Sequence, residues 1–135
     1  MGMQYDKIRN MCESLGISKG KLTDVYLFTI HATDIFFYKQ NIGVMDIKTG
    51  FIDGSGDGGI DFIYSDNEVL FLIQGKSSKN LSKEDMMNAY EKMIRTVIDF
   101  ENKKYDQYSQ KLKSAYLNAY EVLYYSGLLV NLKME

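Results

Sequence analysis

The sequence has no proline and no tryptophan, and its 135 residues include a single cysteine, Cys12, and a single histidine, His31. One thiol cannot form an intramolecular disulfide, which is typical of proteins in the reducing cytoplasm. No apolar run reaches the roughly 20 residues that a membrane-spanning helix needs, and no signal peptide is evident. We therefore expect a cytoplasmic protein that makes no membrane contact. Cys12 is expected to be a buried helix residue, and His31 a structural or surface residue.

A strong charge of one sign is also lacking. Sixteen basic residues stand against eighteen acidic ones, which gives a net charge of −2. This balance differs from the positive charge common among nucleic-acid-binding proteins, so any contact with nucleic acid has to be local. Hydrophobic residues make up 45% and charged residues 25% of the chain, as in globular proteins. At this length we expect a single domain, 1–135.

A central stretch, residues 50–79, carries the most informative pattern of the chain: GFIDGSGDGGIDFIYSDNEVLFLIQGKSSK. Within it, residues 60–64 and 69–73 are rich in β-branched and aromatic side chains and are bounded by turn residues, which predicts two strands. Asp66 and Asn67 suit a two-residue hairpin loop, because Asp and Asn tolerate a positive φ angle. The stretch is therefore predicted to be a glycine-rich loop followed by a β-hairpin.

The predicted loop determines which residues share a face of the hairpin. It pairs Asp61 with Leu72, and residues directly opposite in an antiparallel pair share a face, as do residues two apart on one strand. Asp61, Gln74 and Lys76 are therefore expected to point the same way, with Asp61 and Gln74 as diagonal neighbours. A loop with an odd number of residues would turn Asp61 to the other face.

These three side chains suit metal-assisted chemistry on phosphate. A carboxylate and an amide oxygen side by side can bind a hard cation such as Mg²⁺, with Mn²⁺ as a substitute. An ammonium group two residues further on can orient a water molecule or stabilise charge on a phosphate. Asp and Lys are common at strand ends, so the same residues are also compatible with a hairpin whose charged ends are merely solvated.

The segment GGID, which ends at Asp61, and the segment IQGK, which carries Gln74 and Lys76, resemble the active-site motif of the PD-(D/E)xK, restriction-endonuclease-like superfamily. The resemblance is to the branches written D…QxK, such as Mrr-like restriction enzymes and the amino-terminal domains of abortive-infection phage-resistance proteins. It spans roughly residues 22–100, with its specific motifs within 57–76. It implies an α/β fold with a restriction-endonuclease-like core: a helix, three antiparallel strands, a helix and a possible fourth strand, followed by long C-terminal helices.

The resemblance implies a Mg²⁺-dependent endonuclease that hydrolyses phosphodiester bonds of DNA, in restriction or anti-phage defence. Asp61, Gln74 and Lys76 would be the catalytic residues, with Asp61 and Gln74 as metal ligands. A further acidic ligand is expected from the helix before the sheet; Asp34 is the first candidate, and Asp24, which also suits a helix cap, is the second. Because Gln74 stands where an acid is usual, that helix acid becomes more important.

Two other interpretations remain open. The chain could be a non-catalytic nucleic-acid-binding or assembly module that retains the nuclease fold, as its acidic composition favours. Its tyrosine-rich C-terminal part could instead serve as an oligomerisation domain. For a nuclease, cutting both strands of a duplex requires two sites, so we expect a homodimer or a domain of a longer protein, with the helices after Ser82 as the interface.

Before the hairpin, periodicity predicts a helix and a turn within residues 1–20, a buried helix over 22–40 and a strand over 44–52. The glycines of residues 53–59 predict a flexible loop, which lacks the GK[ST] ending of a P-loop. Asp57 in this loop is expected to face solvent, with a place at the candidate site as the alternative.

After the hairpin, Ser82 and Asp85 resemble a capping box that begins a helix. The expected apolar stripe of this helix is Met86, Tyr90, Met93, Ile94, Val97 and Ile98. Residues 22–100 would then form the core, residues 101–135 a helical extension, and residues 128–132 the possible fourth strand.

Overall fold

The computed structural model describes residues 5–52, 56–66, 69–117 and 124–132, which form an α/β fold around a three-stranded sheet. The helices are α1 (Asp6–Ser14), α2 (Asp24–Thr33), α3 (Val44–Gly50), α4 (Lys83–Glu101) and α5 (Gln110–Leu117). The strands are β1 (Phe62–Asp66), β2 (Val69–Ser77) and β3 (Tyr124–Leu132). None of the helices in these ranges combines the length with the apolar character that crossing a bilayer requires.

The central strand of the sheet is β2. It pairs with β1 in the antiparallel sense and with β3 in the parallel sense. A parallel pair needs a long crossover connection, and the chain between β2 and β3 includes α4 and α5. The predicted α/β class is confirmed. The expectation of three antiparallel strands is wrong, because residues 44–50 form a helix and the third strand of the sheet, β3, pairs in parallel. Within the predicted helical extension, 101–135, β3 includes residues 128–132, the predicted possible fourth strand.

The first predicted strand, over residues 44–52, is instead the helix α3. The Asp46 carboxylate caps its first turn, where Oδ2 accepts a hydrogen bond from the main-chain N–H of Gly43 at 2.8 Å. The helical turn also buries the side chain of Ile47 completely. Five alternating residues are too few to exclude a helix, and capping and burial favour one here. Phe51 keeps a strand-like pairing, through an isolated antiparallel bridge to the first residue of β1.

The predicted hairpin forms, but its register differs from the prediction by two residues. The last residue of β1 pairs with the first residue of β2, so that residues 67–68, which lie outside the described ranges, connect the strands. Extended by one pair beyond β1, this register sets Asp61 opposite Gln74 rather than opposite Leu72. A shift of two residues leaves the alternation of side chains unchanged, so Asp61 and Gln74 keep a common side of the sheet.

Aromatic packing on the other side of the sheet accompanies this register. Tyr64 on β1 lies directly across from Phe71 on β2, and Phe37, which follows α2, contacts both rings with centroid distances of 4.6 and 4.7 Å. Cross-strand aromatic pairs contribute roughly 0.2–1 kcal/mol each. The aromatic cluster therefore favours the observed strand register over the register, with Asp61 opposite Leu72, that the loop residues alone predict.

The sheet lies between two hydrophobic layers. One layer is formed by α1, α2 and α3, and it includes Cys12, which is buried as expected. Burial raises the pKa of the Cys12 thiol to about 11. The other layer is formed by α4 and α5. On the first side, α2 lies directly on β2 at Gly75, where a Cβ atom would come within 1.8 Å of Thr29 Oγ1.

The helix α4 begins as predicted but buries a different face. Ser82 Oγ accepts a hydrogen bond from Asp85 N–H at 3.0 Å, and Asp85 Oδ2 accepts one from Ser82 N–H at 3.4 Å, which confirms the capping box. The buried side chains of α4 are Ala89, Met93, Thr96 and Phe100. Four members of the predicted stripe are 37–57% exposed: Met86, Tyr90, Ile94 and Ile98. Apolar residues cover two sides of this helix, so periodicity alone does not identify the side that packs on the sheet.

Candidate active site

The carboxylate of Asp61 extends the hydrogen-bonding ladder of the hairpin beyond the start of β1. The main-chain N–H of Asp61 donates to the carbonyl oxygen of Ile73 at 2.8 Å, and Asp61 Oδ2 accepts from the main-chain N–H of Gly75 at 2.8 Å. The carboxylate thus accepts a hydrogen bond from β2 that the main-chain carbonyl of a β1 residue would accept if the strand were longer. This contact holds one carboxylate oxygen beside the residue that separates Gln74 from Lys76.

The charge on Asp61 is poorly compensated within the protein. Burial raises the pKa of this carboxyl group above its usual value, and the nearby Asp57 carboxylate raises the pKa further. Hydrogen bonds from the Gly75 N–H and the Tyr26 hydroxyl, together with the charge of Lys76, oppose this rise in pKa without cancelling it. A carboxylate in such surroundings is stabilised by a nearby cation, a situation that is common at functional sites.

The side chain of Gln74 presents a buried oxygen atom without a partner. Its Oε1 is shielded from solvent and accepts no hydrogen bond from any of the described residues. An unsatisfied buried acceptor costs about 1–3 kcal/mol, and a bound cation or water molecule would remove that cost. Extending the hairpin register by one pair sets Gln74 across from Asp61, so the two side chains lie on the same side of the sheet.

These donors fit a hard divalent cation. Mg²⁺ prefers oxygen ligands, keeps several of its water molecules and is usually bound by one or two carboxylates in proteins. Asp61 and Gln74 supply a carboxylate and an amide oxygen, and Asp57 supplies a second carboxylate close enough to act on the pKa of Asp61. No group of three or more histidine, cysteine or acidic side chains occurs in the described ranges, so the candidate donors are of mixed type.

The carboxylate of Asp34, the first candidate for a helix acid, has a structural partner. The helix predicted over residues 22–40 continues past α2 as a π-helical turn that begins at Asp34. Asp34 is buried, and its Oδ1 accepts a hydrogen bond from the main-chain N–H of Ile42 at 2.8 Å, which stabilises the reversal of the chain after this turn. The carboxylate whose charge acts on Asp61 is that of Asp57 and not that of Asp34.

The side chain of α2 that reaches the site is Tyr26. Its hydroxyl donates to the main-chain carbonyl of Ile52 at 2.9 Å and lies in hydrogen-bonding contact with the Asp61 carboxylate. Asp24, the second candidate for the helix acid, is exposed in the first turn of α2, which Thr23 caps. Sequence reasoning missed Tyr26, and the sequence carries no signal for it, because the contact depends on how α2 lies against the sheet.

Gln74 and Lys76 line a cleft between β2 and α4. The cleft has a volume of about 390 Å³. Its lining residues on α4 are Asp85, Asn88, Ala89 and Lys92. Sequence reasoning missed Asn88 and Lys92. A signal for them was present, because the spacing of Asp85, Asn88 and Lys92 sets three polar side chains along one side of the helix.

The glycine-rich loop packs against α4. Gly56, Gly58 and Gly59 have positive φ angles of 78°, 64° and 79°, which glycine adopts without strain. A Cβ atom on Gly58 would come within 2.6 Å of Thr96 Oγ1, which donates a hydrogen bond to the Gly58 carbonyl oxygen at 2.8 Å. Asp57 Oδ1 accepts from the Gly59 N–H at 2.8 Å. Residues 56–59 of the loop are therefore held by contacts with the rest of the protein, and Asp57 is half-buried rather than fully solvated.

Comparison of the chain with protein-family models, with curated proteins and with solved structures found no match. The resemblance of the GGID and IQGK segments to PD-(D/E)xK nucleases therefore stays a prediction from the sequence. The argument for a function rests on the geometry of Asp61, Gln74 and Lys76 and on the cleft that Gln74 and Lys76 line.

Proposed function

We propose that this protein is a Mg²⁺-dependent endonuclease of the PD-(D/E)xK type, which hydrolyses phosphodiester bonds of DNA in restriction or anti-phage defence. The observation that carries the proposal is the placement of two oxygen groups on one side of the hairpin: Gln74 Oε1, a buried oxygen without a donor among the described residues, and the Asp61 carboxylate, whose pKa is raised mainly by burial. One divalent cation bound between them would satisfy the oxygen and compensate the charge.

The order of elements supports the finer proposal of a restriction-endonuclease-like core. The chain runs from α2 and α3 through the bridge at Phe51 to β1, β2, α4, α5 and finally β3. A helix, an antiparallel hairpin, a helix and a further strand occur in the order that the resemblance implies, but α3 and one bridged residue stand where the first strand was expected. The hairpin that carries Asp61, Gln74 and Lys76 stands at the centre of that order.

In the proposed reaction, water attacks the phosphorus atom, the bond to the leaving oxygen breaks, and that oxygen takes up a proton. Mg²⁺ bound by Asp61 and Gln74 would lower the pKa of a bound water and offset negative charge on the phosphate. The Gly75 N–H orients the Asp61 carboxylate, and the Tyr26 hydroxyl lies close enough to lower the pKa of that group. Lys76 follows two residues after Gln74 on the same strand face, so its ammonium group can donate to the attacking water or to a phosphate oxygen.

A second copy of the chain would provide the second site that cleavage of a duplex needs. The outer side of α4 exposes Met87, Tyr90, Ile94 and Ile98 by 37–57%. This apolar row lies on a different side of the helix from Asn88 and Lys92. A second copy docked on the row would therefore leave the cleft of Gln74 and Lys76 open in each of the two copies. The adjacent edge of the sheet is β3, whose pairing within the described residues is with β2 alone.

The nuclease proposal is tested by incubating the purified protein with supercoiled plasmid and with linear single-stranded DNA, in Mg²⁺ or Mn²⁺ and in a chelator. Wild-type protein should cut with metal and not with chelator, and Asp61→Ala should abolish cutting while retaining its fold. Asp24→Ala, which removes an exposed acid from α2, is the control and should cut like wild type. Equal background cleavage by wild type and Asp61→Ala would instead favour the non-catalytic binding module.

A further inference from the structure

A second cleft lies on α4 next to the first. It has a volume of about 320 Å³. It is lined by the glycine-rich loop, by Lys92, Arg95 and Thr96 of α4, and by Tyr108 ahead of α5. Lys92 also lines the cleft of Gln74 and Lys76, so the two clefts adjoin across this side chain. An extended ligand that fills the first cleft can therefore continue into the second.

The cations of the second cleft have no carboxylate partner within the described residues. Arg9 and Arg95 are the arginines of the chain. Arg9 forms an ion pair with Asp6 at 2.9 Å, whereas in the described ranges neither Arg95 nor Lys92 forms one. The guanidinium of Arg95 is exposed and is therefore available to an anion from solution.

The acid one turn after Arg95 is engaged by other groups. Asp99 Oδ2 accepts hydrogen bonds from Gln107 Nε2 at 2.8 Å and from the Tyr108 hydroxyl at 2.5 Å. The acid that lines this cleft is Asp57, whose Oδ1 accepts from the Gly59 N–H in its own loop. Within the described residues neither Asp57 nor Asp99 forms an ion pair with Lys92 or Arg95, so both cations can bind an anion from solution.

The wall opposite α4 is formed by Gly56, Asp57 and Gly58 of the loop together with Gln107 and Tyr108. A Cβ atom on Gly56 would lie 2.9 Å from the main-chain nitrogen of Ser109, and one on Gly58 would lie 2.6 Å from Thr96 Oγ1. Glycine permits this close approach. The two glycines therefore let the loop pack closely against α4 and residues 107–109, and this packing forms the cleft in which Arg95 lies.

We infer that the second cleft binds a phosphate group of a nucleic-acid strand through the Arg95 guanidinium and the Lys92 ammonium. The planar guanidinium presents paired N–H donors that match phosphate oxygens, and the ammonium adds a compact charge. Residues three apart on a helix are neighbours, so both cations reach one anion. The inference rests on the proposed function for the identity of the strand, but it concerns binding and not cleavage.

The test is equilibrium binding of a labelled single-stranded DNA oligonucleotide, measured by fluorescence anisotropy in chelator at several salt concentrations. Arg95→Gln should raise Kd about tenfold and lower the slope of log Kd against log salt by about 0.7, the value of one phosphate contact on a single strand. Arg9→Gln, which removes the same charge from α1, should change neither quantity. Arg95→Lys keeps the charge but loses the planar fork, so it should restore the slope and only part of the affinity.

Equal affinities and slopes for Arg95→Gln and Arg9→Gln would overturn the inference, as would failure of the wild-type protein to bind the oligonucleotide. Calorimetric titration with inorganic phosphate distinguishes a site for a nucleic-acid strand from a site for the free ion. Arg95-dependent binding of inorganic phosphate, without binding of the oligonucleotide, would also overturn the inference. Circular dichroism of each variant controls for folding. Loss of metal-dependent cleavage alone would contradict the proposed function and leave the phosphate site standing, since no metal takes part in this measurement.

Discussion

The main-chain N–H of Gly75 donates a hydrogen bond to the Oδ2 atom of Asp61 at 2.8 Å. The middle residue of the Gln-Gly-Lys segment thus connects the strand of Gln74 and Lys76 with the carboxylate that precedes β1. The same glycine admits α2, because a Cβ atom there would come within 1.8 Å of Thr29 Oγ1. The residue between the two motif side chains therefore positions both the carboxylate and the helix behind the strand.

Gly75→Ala should destabilise the protein by roughly 1–3 kcal/mol, as overpacking of a core does, because the new methyl group would meet Thr29. Gly20→Ala is the matched control, since a Cβ atom at Gly20 meets nothing within 4 Å. Chemical unfolding followed by circular dichroism measures both variants. Thr29→Ala added to Gly75→Ala should recover part of the loss, as expected for residues in contact. Equal stability of the two glycine variants would argue against the close packing.

Asp61→Asn should stabilise the metal-free protein at neutral pH. Burial raises the folded-state pKa of Asp61 above its usual value of 3.8, so the contribution of this group to stability is present below the unfolded-state pKa and is lost as pH rises through the folded-state pKa. Asparagine keeps an acceptor for the Gly75 N–H and carries no charge. Its advantage in Tm should therefore grow from about pH 4 towards neutral pH and then level off.

Thermal melting in chelator across this pH range measures the advantage of Asp61→Asn. Added Mg²⁺ should reduce the difference, because a cation that binds the folded wild-type protein stabilises it. An advantage that stays constant with pH, or that grows on acidification, would contradict the raised pKa of Asp61. The exposed acid Asp24 provides the control, since Asp24→Asn should show no such trend.

Lys76→Ala should slow cleavage far more than it weakens binding of DNA. A group that stabilises charge only in the transition state affects the rate of the chemical step, whereas a uniform contact affects Kd. Loss of one such donor lowers the rate by about 10²–10³. Single-turnover cleavage and anisotropy measure the two quantities. Lys79→Ala, at an exposed lysine after β2, is the control. Equal losses in rate and affinity for Lys76→Ala would make Lys76 a docking residue instead.

Ile94→Glu should convert a homodimer into a monomer. Ile94 lies in the middle of the exposed apolar row of α4 and is 57% exposed, and a buried charge without a partner is strongly unfavourable in an interface. Phe36→Glu changes an apolar side chain of similar exposure, 65%, at the turn after α2 and should leave the dimer intact. Light scattering coupled to gel filtration measures the mass. A wild-type protein that is monomeric yet cuts both strands of a duplex in concert would contradict the dimer.

Local chemistry made part of the site predictable from the sequence. The cap of α4 was predicted correctly, because Ser82 and Asp85, three residues apart, each accept a hydrogen bond from the other's main-chain N–H. The common side of Asp61 and Gln74 depends on the parity of the hairpin loop, which a register error of two residues does not change. These features involve neighbours in the sequence or a simple alternation, and short-range rules describe both.

Contacts between distant segments could not be predicted in the same way. Residues 44–50 alternate like a strand, yet the burial of Ile47 and the cap from Asp46 favour a helix. The parallel pairing of β3 depends on a crossover of two helices. Tyr26 reaches the site from the layer of α2, so its role follows from packing that no local pattern encodes, whereas Lys92 belongs to a polar row of α4 that the sequence does show.

The central claim is that a divalent cation binds between Asp61 and Gln74, and calorimetric titration with Mn²⁺ tests it most directly. Wild-type protein should bind the ion, and Asp24→Asn should bind it equally well. Gln74→Leu, which replaces the unsatisfied amide by an apolar side chain of similar size, and Asp61→Asn should each weaken binding at least about tenfold, the effect of losing an interaction of about 1.4 kcal/mol. Mn²⁺ affinity that is the same in all four proteins, or no binding by any of them, would contradict the claim.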